Sequence, residues 1–337
     1  MPSDQTFVSN HGSTGLVDLP SRRILVSRLA ASAQEQDLTL PTNCGGFGRV
    51  HHFRLFRDPS WGPNPLPIVP ACRRLGISAI PAVMTAQVFQ NAACNWRCWY
   101  CYVPYDLLSA DRKRAAWLGP EELVSLYADA QPQRPLILDL SGGSPDLVPE
   151  WVPWIMDALT KAGLAEDSYL WSDDNLSTPY LFDYLAKSDI DRIVTYRNYG
   201  RVGCFKGFDE DSFRFNTGAP ASDFVRQFKI MAQLLQLGVD VYGYVTFTAE
   251  TDNDLVRKMR RFVDRLQELD PNLPLRTVPL KVSMFSPVRS RMNVSRERAL
   301  SIQETGVVAW NEELAARYPQ QPFEFTVDAP LNRRFSG

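Results

Sequence analysis

The stretch Cys94-Asn95-Trp96-Arg97-Cys98-Trp99-Tyr100-Cys101 decides the fold. It sets three thiols within eight residues, spaced C-x3-C-x2-C, directly after the apolar run 82–89. Thiolates are soft ligands that select iron–sulfur clusters, zinc or copper(I). A [4Fe–4S] cluster ordinarily takes four Cys, so three adjacent Cys hold three irons and leave one for another ligand. Zinc needs four protein ligands, or three and a water. Here the fourth would have to come from Cys44, Cys72, Cys204 or one of three His. Disulfides are disfavoured, because bonds between Cys so close in sequence staple nothing useful and nothing marks the chain as secreted.

The spacing, with aromatic Tyr100 immediately before the last Cys, resembles the signature of the radical S-adenosylmethionine (SAM) superfamily. The resemblance implies a single [4Fe–4S] cluster on Cys94, Cys98 and Cys101, its open iron chelated by the amino and carboxylate groups of SAM. An electron from the reduced cluster then cleaves SAM to methionine and a 5'-deoxyadenosyl radical. It also implies a flavodoxin- or ferredoxin-type electron donor. In the family, the residue at the position of Tyr100 packs near the adenine. Trp96 and Trp99 are expected to keep water from the cluster, a lever on its potential.

Outward from this loop, strand and helix signals alternate. Strands are expected at 82–89, 135–140, 169–172, 202–208, 239–247 and 280–285. Helices are expected from Pro120 by its place at the first helical position, and over 151–164, 179–186, 221–237, 251–269 and 301–318. Alternation of this kind builds βαβ units and a parallel sheet. Six units match the partial (β/α)6 TIM-like barrel of radical SAM enzymes, an α/β fold with active sites at the C-terminal ends of its strands. Residues 1–81 read as an irregular N-terminal extension packed on the barrel, with a mobile tail and a short helix over 21–34. Residues 82–290 form the core, and 291–337 a C-terminal helix and tail.

Three further motifs carry the resemblance. Gly142-Gly143-Ser144-Pro145 resembles the Gly-Gly-Glu-Pro motif that meets SAM's amino group, with Ser144 where Glu is common. A hydroxyl and backbone carbonyls can still accept from an ammonium. Ser172, Asp173, Asp174 and Asn175 end the third strand, where a carboxylate or amide can bind the SAM ribose or simply form a turn. Cys204-Phe205-Lys206-Gly207, followed by Thr217-Gly218, resembles the Asp-Leu-Lys…Thr-Gly pattern of glycyl-radical-activating enzymes. It makes Lys206 the candidate for SAM's carboxylate. Strand alternation puts Cys204 on the same inward face, as a hydrogen-atom donor or as lining. Tyr244 stands where the activating enzymes carry Arg. His51-His52 and Cys44 make only an incomplete metal set.

Composition bounds the partners. The chain has 337 residues, a formal charge of −2, 45% hydrophobic and 22% charged residues. This balance gives no reason to expect a nucleic acid or an anionic membrane, and no run approaches the ~20 apolar residues of a membrane helix. Cytoplasmic residence is the default expectation. No B12 signature and no Cys-rich auxiliary-cluster segment stands out. These features favour a small-molecule substrate, preferably a sugar, aminosugar or sugar-nucleoside in a biosynthetic pathway, undergoing dehydration, epimerisation or decarboxylation in a lyase or oxidoreductase reaction. The alternatives are a glycyl-radical activase or peptide-modifying maturase, and a non-enzymatic zinc- or cluster-binding module.

Overall fold

The computed structural model describes residues 15–56, 58, 61–130, 133–319 and 326–332, so the expected N-terminal tail lies outside the described residues but for Gly15. In chain order the strands are β1 (Val17–Asp18), β2 (Arg23–Ser27), β3 (Gly48–Arg54), β4 (Val83–Phe89), β5 (Ala115–Leu118), β6 (Ile137–Leu140), β7 (Tyr169–Asp174), β8 (Tyr199–Phe205), β9 (Val241–Val245) and β10 (Thr277–Pro279). The helices are α1 (Ile68–Leu75), α2 (Pro120–Ala128), α3 (Trp151–Lys161), α4 (Tyr180–Tyr184), α5 (Lys187–Thr195), α6 (Glu210–Thr217), α7 (Ser222–Leu237), α8 (Leu255–Leu269), α9 (Ser286–Arg289) and α10 (Val294–Arg317).

Seven strands form one sheet in the order β10-β9-β8-β7-β6-β4-β3. The six strands from β4 to β10 in this sheet run parallel, with helices in every crossover. The sheet curls into a partial (β/α)6 barrel, and β3 adds antiparallel at the β4 edge. Side chains alternate across each strand and sort into two cores. Leu138, Leu140, Leu170, Phe205 and Val245 pack outward among the helices. Ala86, Ile137, Tyr169, Trp171, Val202, Cys204, Tyr242 and Tyr244 fill the inside of the curl. There they meet Ile68, Val69 and Cys72 of α1, which plugs the N-terminal ends of the strands. Arg73 and Arg74 fasten α1 to Asp240, at 3.0 and 2.9 Å, just before β9. At their C-terminal ends, the barrel mouth, the strands run into polar residues such as Ser141, Asp173 and Lys206.

The structure departs from expectation mainly outside the barrel. No α-helix forms over 21–34, where only Ala33 and Gln34 enter a short 3-10 helix, Ala33–Asp37. Ile24, Leu25 and Val26 are all buried, and β2 pairs antiparallel with β1 and β5 in a three-stranded sheet. Three consecutive buried apolar side chains suit a strand covered on both faces and no surface helix, whose apolar positions recur every third or fourth residue. The expected strand over 280–285 is replaced by β10 just before it. The following stretch is held by Gln303 of α10, which donates to the Val282 carbonyl at 3.1 Å and accepts its N–H at 2.9 Å. Helix α10 begins seven residues before the expected 301, because the Asn293 side chain caps it by accepting from the Arg296 N–H at 2.9 Å. His51 and His52 are successive residues of β3 and face opposite sides, so they do not converge with Cys44. No helix among the described residues is long and apolar enough to cross a membrane.

Candidate active site

The Cys loop leaves the C-terminal end of β4 and is braced from the far side of the barrel. The Arg97 and Trp99 N–H groups donate to the carbonyls of Thr217 (3.2 Å) and Asn216 (3.1 Å), at the end of α6. Asn216 is fully buried and ties three elements together. Its amide nitrogen donates to the carbonyls of Lys206 (2.8 Å) and Thr248 (3.0 Å). Its amide oxygen accepts from Trp99 Nε1 (3.1 Å) and Thr248 Oγ1 (2.8 Å). Arg97 folds back to cap the carbonyls of Cys94 (2.6 Å) and Trp96 (3.0 Å). Arg291, just before α10, caps those of Cys101 (2.6 Å) and Val103 (3.0 Å).

Cys94 and Cys98 are buried, Cys101 is half-buried, and none is in a disulfide. Burial pushes the Cys94 thiol up to about 11 and the Cys98 thiol to about 12, while the nearby Lys206 ammonium pulls both back. The three thiols lie near enough to feel one another's charge. Among the described residues, no three His, Cys, Asp or Glu side chains converge as ligands of a single metal ion. In a four-iron cluster each thiolate takes its own iron. The Trp96 N–H at 3.4 Å and the Asn175 side-chain amide at 3.5 Å donate to Cys94 Sγ, contacts of the kind that orient and tune a metal-bound thiolate. The residues present therefore fit a [4Fe–4S] cluster.

The Gly-Gly loop after β6 docks on the base of the Cys loop. Gly142 (φ 92°) and Gly143 (φ 68°) adopt left-handed backbone. A Cβ at Gly143 would lie 2.0 Å from Asn91 Oδ1, and one at Gly142 2.5 Å from Gln90 Oε1. Asn91 clamps Ser144, donating to its carbonyl at 2.7 Å and accepting from its N–H at 3.2 Å. Ser144 departs from its expected role. It is fully buried, and its hydroxyl donates to Asp146 Oδ1 (2.5 Å) and accepts from Asn175 Nδ2 (2.9 Å). The hydroxyl is thus engaged within the loop network, leaving the backbone as the loop's means of meeting an ammonium. Pro145 is buried at the start of a single 3-10 turn. Asp146 crosses to the next loop, where its Oδ2 accepts from the N–H and hydroxyl of Ser177 (2.9 and 2.5 Å).

Strand alternation divides Ser172, Asp173, Asp174 and Asn175. Asp173 faces the barrel and accepts from Ser141 Oγ at 2.6 Å. Ser172 and Asp174 point the other way. Ser172 shares a 2.8 Å hydrogen bond with the Tyr199 hydroxyl, and Asp174 forms a buried ion pair with Arg201. These two belong to the outer core, a correction to their candidacy as cofactor ligands. Asn175 turns in toward Cys94 and Ser144.

Cys204 and Lys206 project inward from the end of β8. Burial opposes the charge of Lys206, and the surrounding Cys204, Tyr100, Cys98 and Cys94 groups outweigh it, so the ammonium is held above its ordinary value. Among the described residues Lys206 makes no salt bridge. Burial pushes the Cys204 thiol up to about 12. Tyr100 joins its hydroxyl to Thr246 Oγ1 at 3.1 Å, beside β9. Tyr244 is not a stand-in for the arginine of the activating enzymes. Its hydroxyl donates to the Leu66 carbonyl at 3.2 Å, tying β9 to the segment that leads into α1.

Five polar residues at this site escaped sequence reading: Arg49, Gln90, Asn91, Asp139 and Asn216. Asp139 carried a signal, being a lone carboxylate in the apolar run Ile137-Leu138-Asp139-Leu140, where an unpaired charge is costly. The amides carried none, since Asn and Gln serve equally as turn formers and surface groups.

Comparison with known proteins agrees with this geometry. The radical SAM superfamily model matches residues 91–262, just over half of the chain, from the base of the Cys loop into α8. No curated protein matches. Among solved structures, Streptococcus suis SuiB bound to S-adenosylmethionine is similar at 15% identity over 69% of this chain and 52% of that one, with a TM-score of 0.42. SuiB bound to the precursor peptide SuiA is similar at 14% identity over 55% of this chain and 36% of that one, TM-score 0.39. TYW1 with a lysine-pyruvate adduct is similar at 12% identity over 56% of this chain and 74% of that one, TM-score 0.35. The chain thus spans between about a third and about half of the SuiB chains it matches. On the family match and the cysteine loop together, the chain belongs to the radical SAM superfamily, whose cofactors are a [4Fe–4S] cluster and S-adenosylmethionine.

Proposed function

We propose that this enzyme uses the 5'-deoxyadenosyl radical to take a hydrogen atom from a small polar metabolite in the barrel mouth, preferably an aminosugar or sugar-nucleoside. The observation that carries the reading is the placement of the Lys206 ammonium among Cys94, Cys98, Tyr100 and Cys204. When bound, the cluster would supply the one electron that cleaves SAM, and the 5'-deoxyadenosyl group so released would break a substrate C–H bond and keep its hydrogen.

Each residue has a role in that chemistry. Lys206 pairs with the carboxylate of SAM, an arrangement in which charge assistance roughly doubles the strength of a hydrogen bond. The Gly142–Gly143 backbone receives the amino group, Tyr100 borders the adenine, and Asp173 accepts from the ribose hydroxyls. Trp96 and Trp99, both buried, exclude water from the reduced site. Cys204 lines the inside of the barrel near Lys206 and Tyr100. The mouth offers carboxylates and hydroxyls to a substrate, which suits a polyhydroxylated metabolite, and a small acidic electron carrier of the flavodoxin or ferredoxin type delivers the electron.

Anaerobic reconstitution with iron and sulfide, followed by reduction in the presence of SAM, tests the reading. Wild-type protein is expected to turn brown and release 5'-deoxyadenosine. The triple variant Cys94→Ala/Cys98→Ala/Cys101→Ala is expected to do neither, and full cluster retention in it would overturn the assignment of ligands. Release that depends on an added polypeptide rather than a metabolite would move the substrate to the peptide-modifying class.

A further inference from the structure

The barrel mouth contains three buried polar side chains that each keep at least one polar atom without a partner. Arg49, Gln90 and Asp139 are 6, 0 and 2% exposed. Arg49 Nε, both amide atoms of Gln90 and Asp139 Oδ1 have no hydrogen-bond partner. Buried polar groups are satisfied in the large majority of cases, and one left unmet is destabilising. Three adjacent exceptions therefore point to a missing ligand.

Register shows that they share one surface. Arg49 pairs with Val88, and Val88 with Asp139, so the three lie in one row across β3, β4 and β6. With neighbouring strands ~4.8 Å apart, the backbones of Arg49 and Asp139 stand roughly 10 Å apart with only Val88 between. Gln90 follows on the same face as Val88, beside Gly142. Arg49 acts on the Asp139 charge, yet no salt bridge joins them among the described residues. Its guanidinium is steadied by the Tyr102 hydroxyl at 3.0 Å and lies 5.2 Å from the centre of that ring. Burial and the Asp173 charge push the Asp139 carboxyl well above the usual carboxylate range, with Arg49 pulling it back. A cation in the gap would supply the missing counter-charge.

We infer that Arg49, Gln90 and Asp139 form a substrate subsite that takes a metabolite bearing both an amine and an anionic group. Asp139 receives the amine, Arg49 the anion, and the Gln90 amide a hydroxyl or carbonyl between them. The subsite rests on the function proposed above and narrows its substrate class to an aminated, anionic sugar or a molecule of equivalent charge. Two of its three residues, Arg49 and Gln90, lie outside the part of the chain that matches the family model, so the substrate is read largely by the β3–β4 edge.

Calorimetric titration of the reconstituted, SAM-loaded enzyme under anaerobic conditions tests this with four probes: glucose, glucosamine, glucose 6-phosphate and glucosamine 6-phosphate. Wild type is expected to bind the last at least about tenfold more tightly than glucosamine or glucose 6-phosphate, since a charge-assisted bond is worth about a decade or more in affinity. Asp139→Asn, which keeps size and shape, should abolish the preference for the amine and keep that for phosphate. Arg49→Gln should do the reverse, and Arg49→Lys should keep part of the phosphate preference. Equal affinity for all four probes, no binding of any, or loss of both preferences in both variants would overturn the subsite. The 5'-deoxyadenosine released by wild type without any probe reports separately on the radical reading, so the two ideas fail independently.

Discussion

At the scale of single residues, period two in a strand separates function from scaffold. Lys206 and Cys204 share a face of β8, so one decision about which way the strand looks places both in the barrel. The same rule sends Asp173 inward and its neighbours Ser172 and Asp174 outward, a division invisible until the register of β7 is known. Lys206 is the most exacting test. In its proposed role, removing the side chain takes from the carboxylate of SAM a charge-assisted partner usually worth ~1.5–3 kcal/mol. Lys206→Ala should therefore weaken SAM binding by about 10- to 100-fold, while iron and sulfide content stay at the wild-type level. The side chain touches no Cys ligand by a hydrogen bond, so cluster loss in this variant would mean that Lys206 supports the loop and not the cosubstrate. Unchanged SAM affinity would assign it to the substrate.

At the scale of elements, the Cys loop is shaped less by its own sequence than by what it leans on. Asn216 receives Trp99, Lys206 and Thr248 at once, joining the loop after β4 to the ends of β8 and β9. The Thr217-Gly218 pair was legible as a motif. Its physical use was not, because the contact runs through the carbonyls of residues 216 and 217, which every residue type possesses. Asn216→Ala leaves the Trp99 indole N–H and two carbonyls without their partner, at about 1–3 kcal/mol for each buried group left unmet. A fall in melting temperature of several degrees is expected, with broadened cluster EPR signals from a loosened loop. Asn216→Asp keeps the acceptor for Trp99 and should restore part of the thermal stability but not the sharp signals, since it cannot donate to Lys206. An unbroadened signal in both variants would show that the loop holds its shape without this hub. The barrel strands themselves were readable because apolar runs such as 169–172 and 241–245 end in turn residues. β2 and β3 were not, since distant partners, β5 for β2 and β4 for β3, decide whether such segments form strands.

At the scale of the whole molecule, the family-like middle is completed from both ends of the chain. The N-terminal portion supplies β3, the α1 plug and Arg49. The C-terminal portion supplies Arg291, which holds the Cys101 carbonyl, at the third proposed cluster ligand. Neither contribution was legible, because nothing local distinguishes Arg291 from the other arginines in 289–298, and only tertiary packing selects it. Its guanidinium caps the Cys101 and Val103 carbonyls and lies 3.7 Å from the centre of the Tyr105 ring. That ring in turn is tied by its hydroxyl to the Arg97 and Cys98 carbonyls, at 2.9 and 3.1 Å. One side chain from outside the barrel thus locks the most exposed of the three Cys positions. Arg291→Ala should leave the fold and the initial reconstitution intact, because the barrel core does not depend on it. It should then let the half-buried Cys101 corner open more often, so that the brown absorption bleaches several-fold faster in air than in wild type. Arg291→Lys, which keeps the charge but not the paired donors, should bleach at an intermediate rate. Equal bleaching of all three proteins would place the limit on oxygen access elsewhere, at the barrel mouth beneath Tyr102.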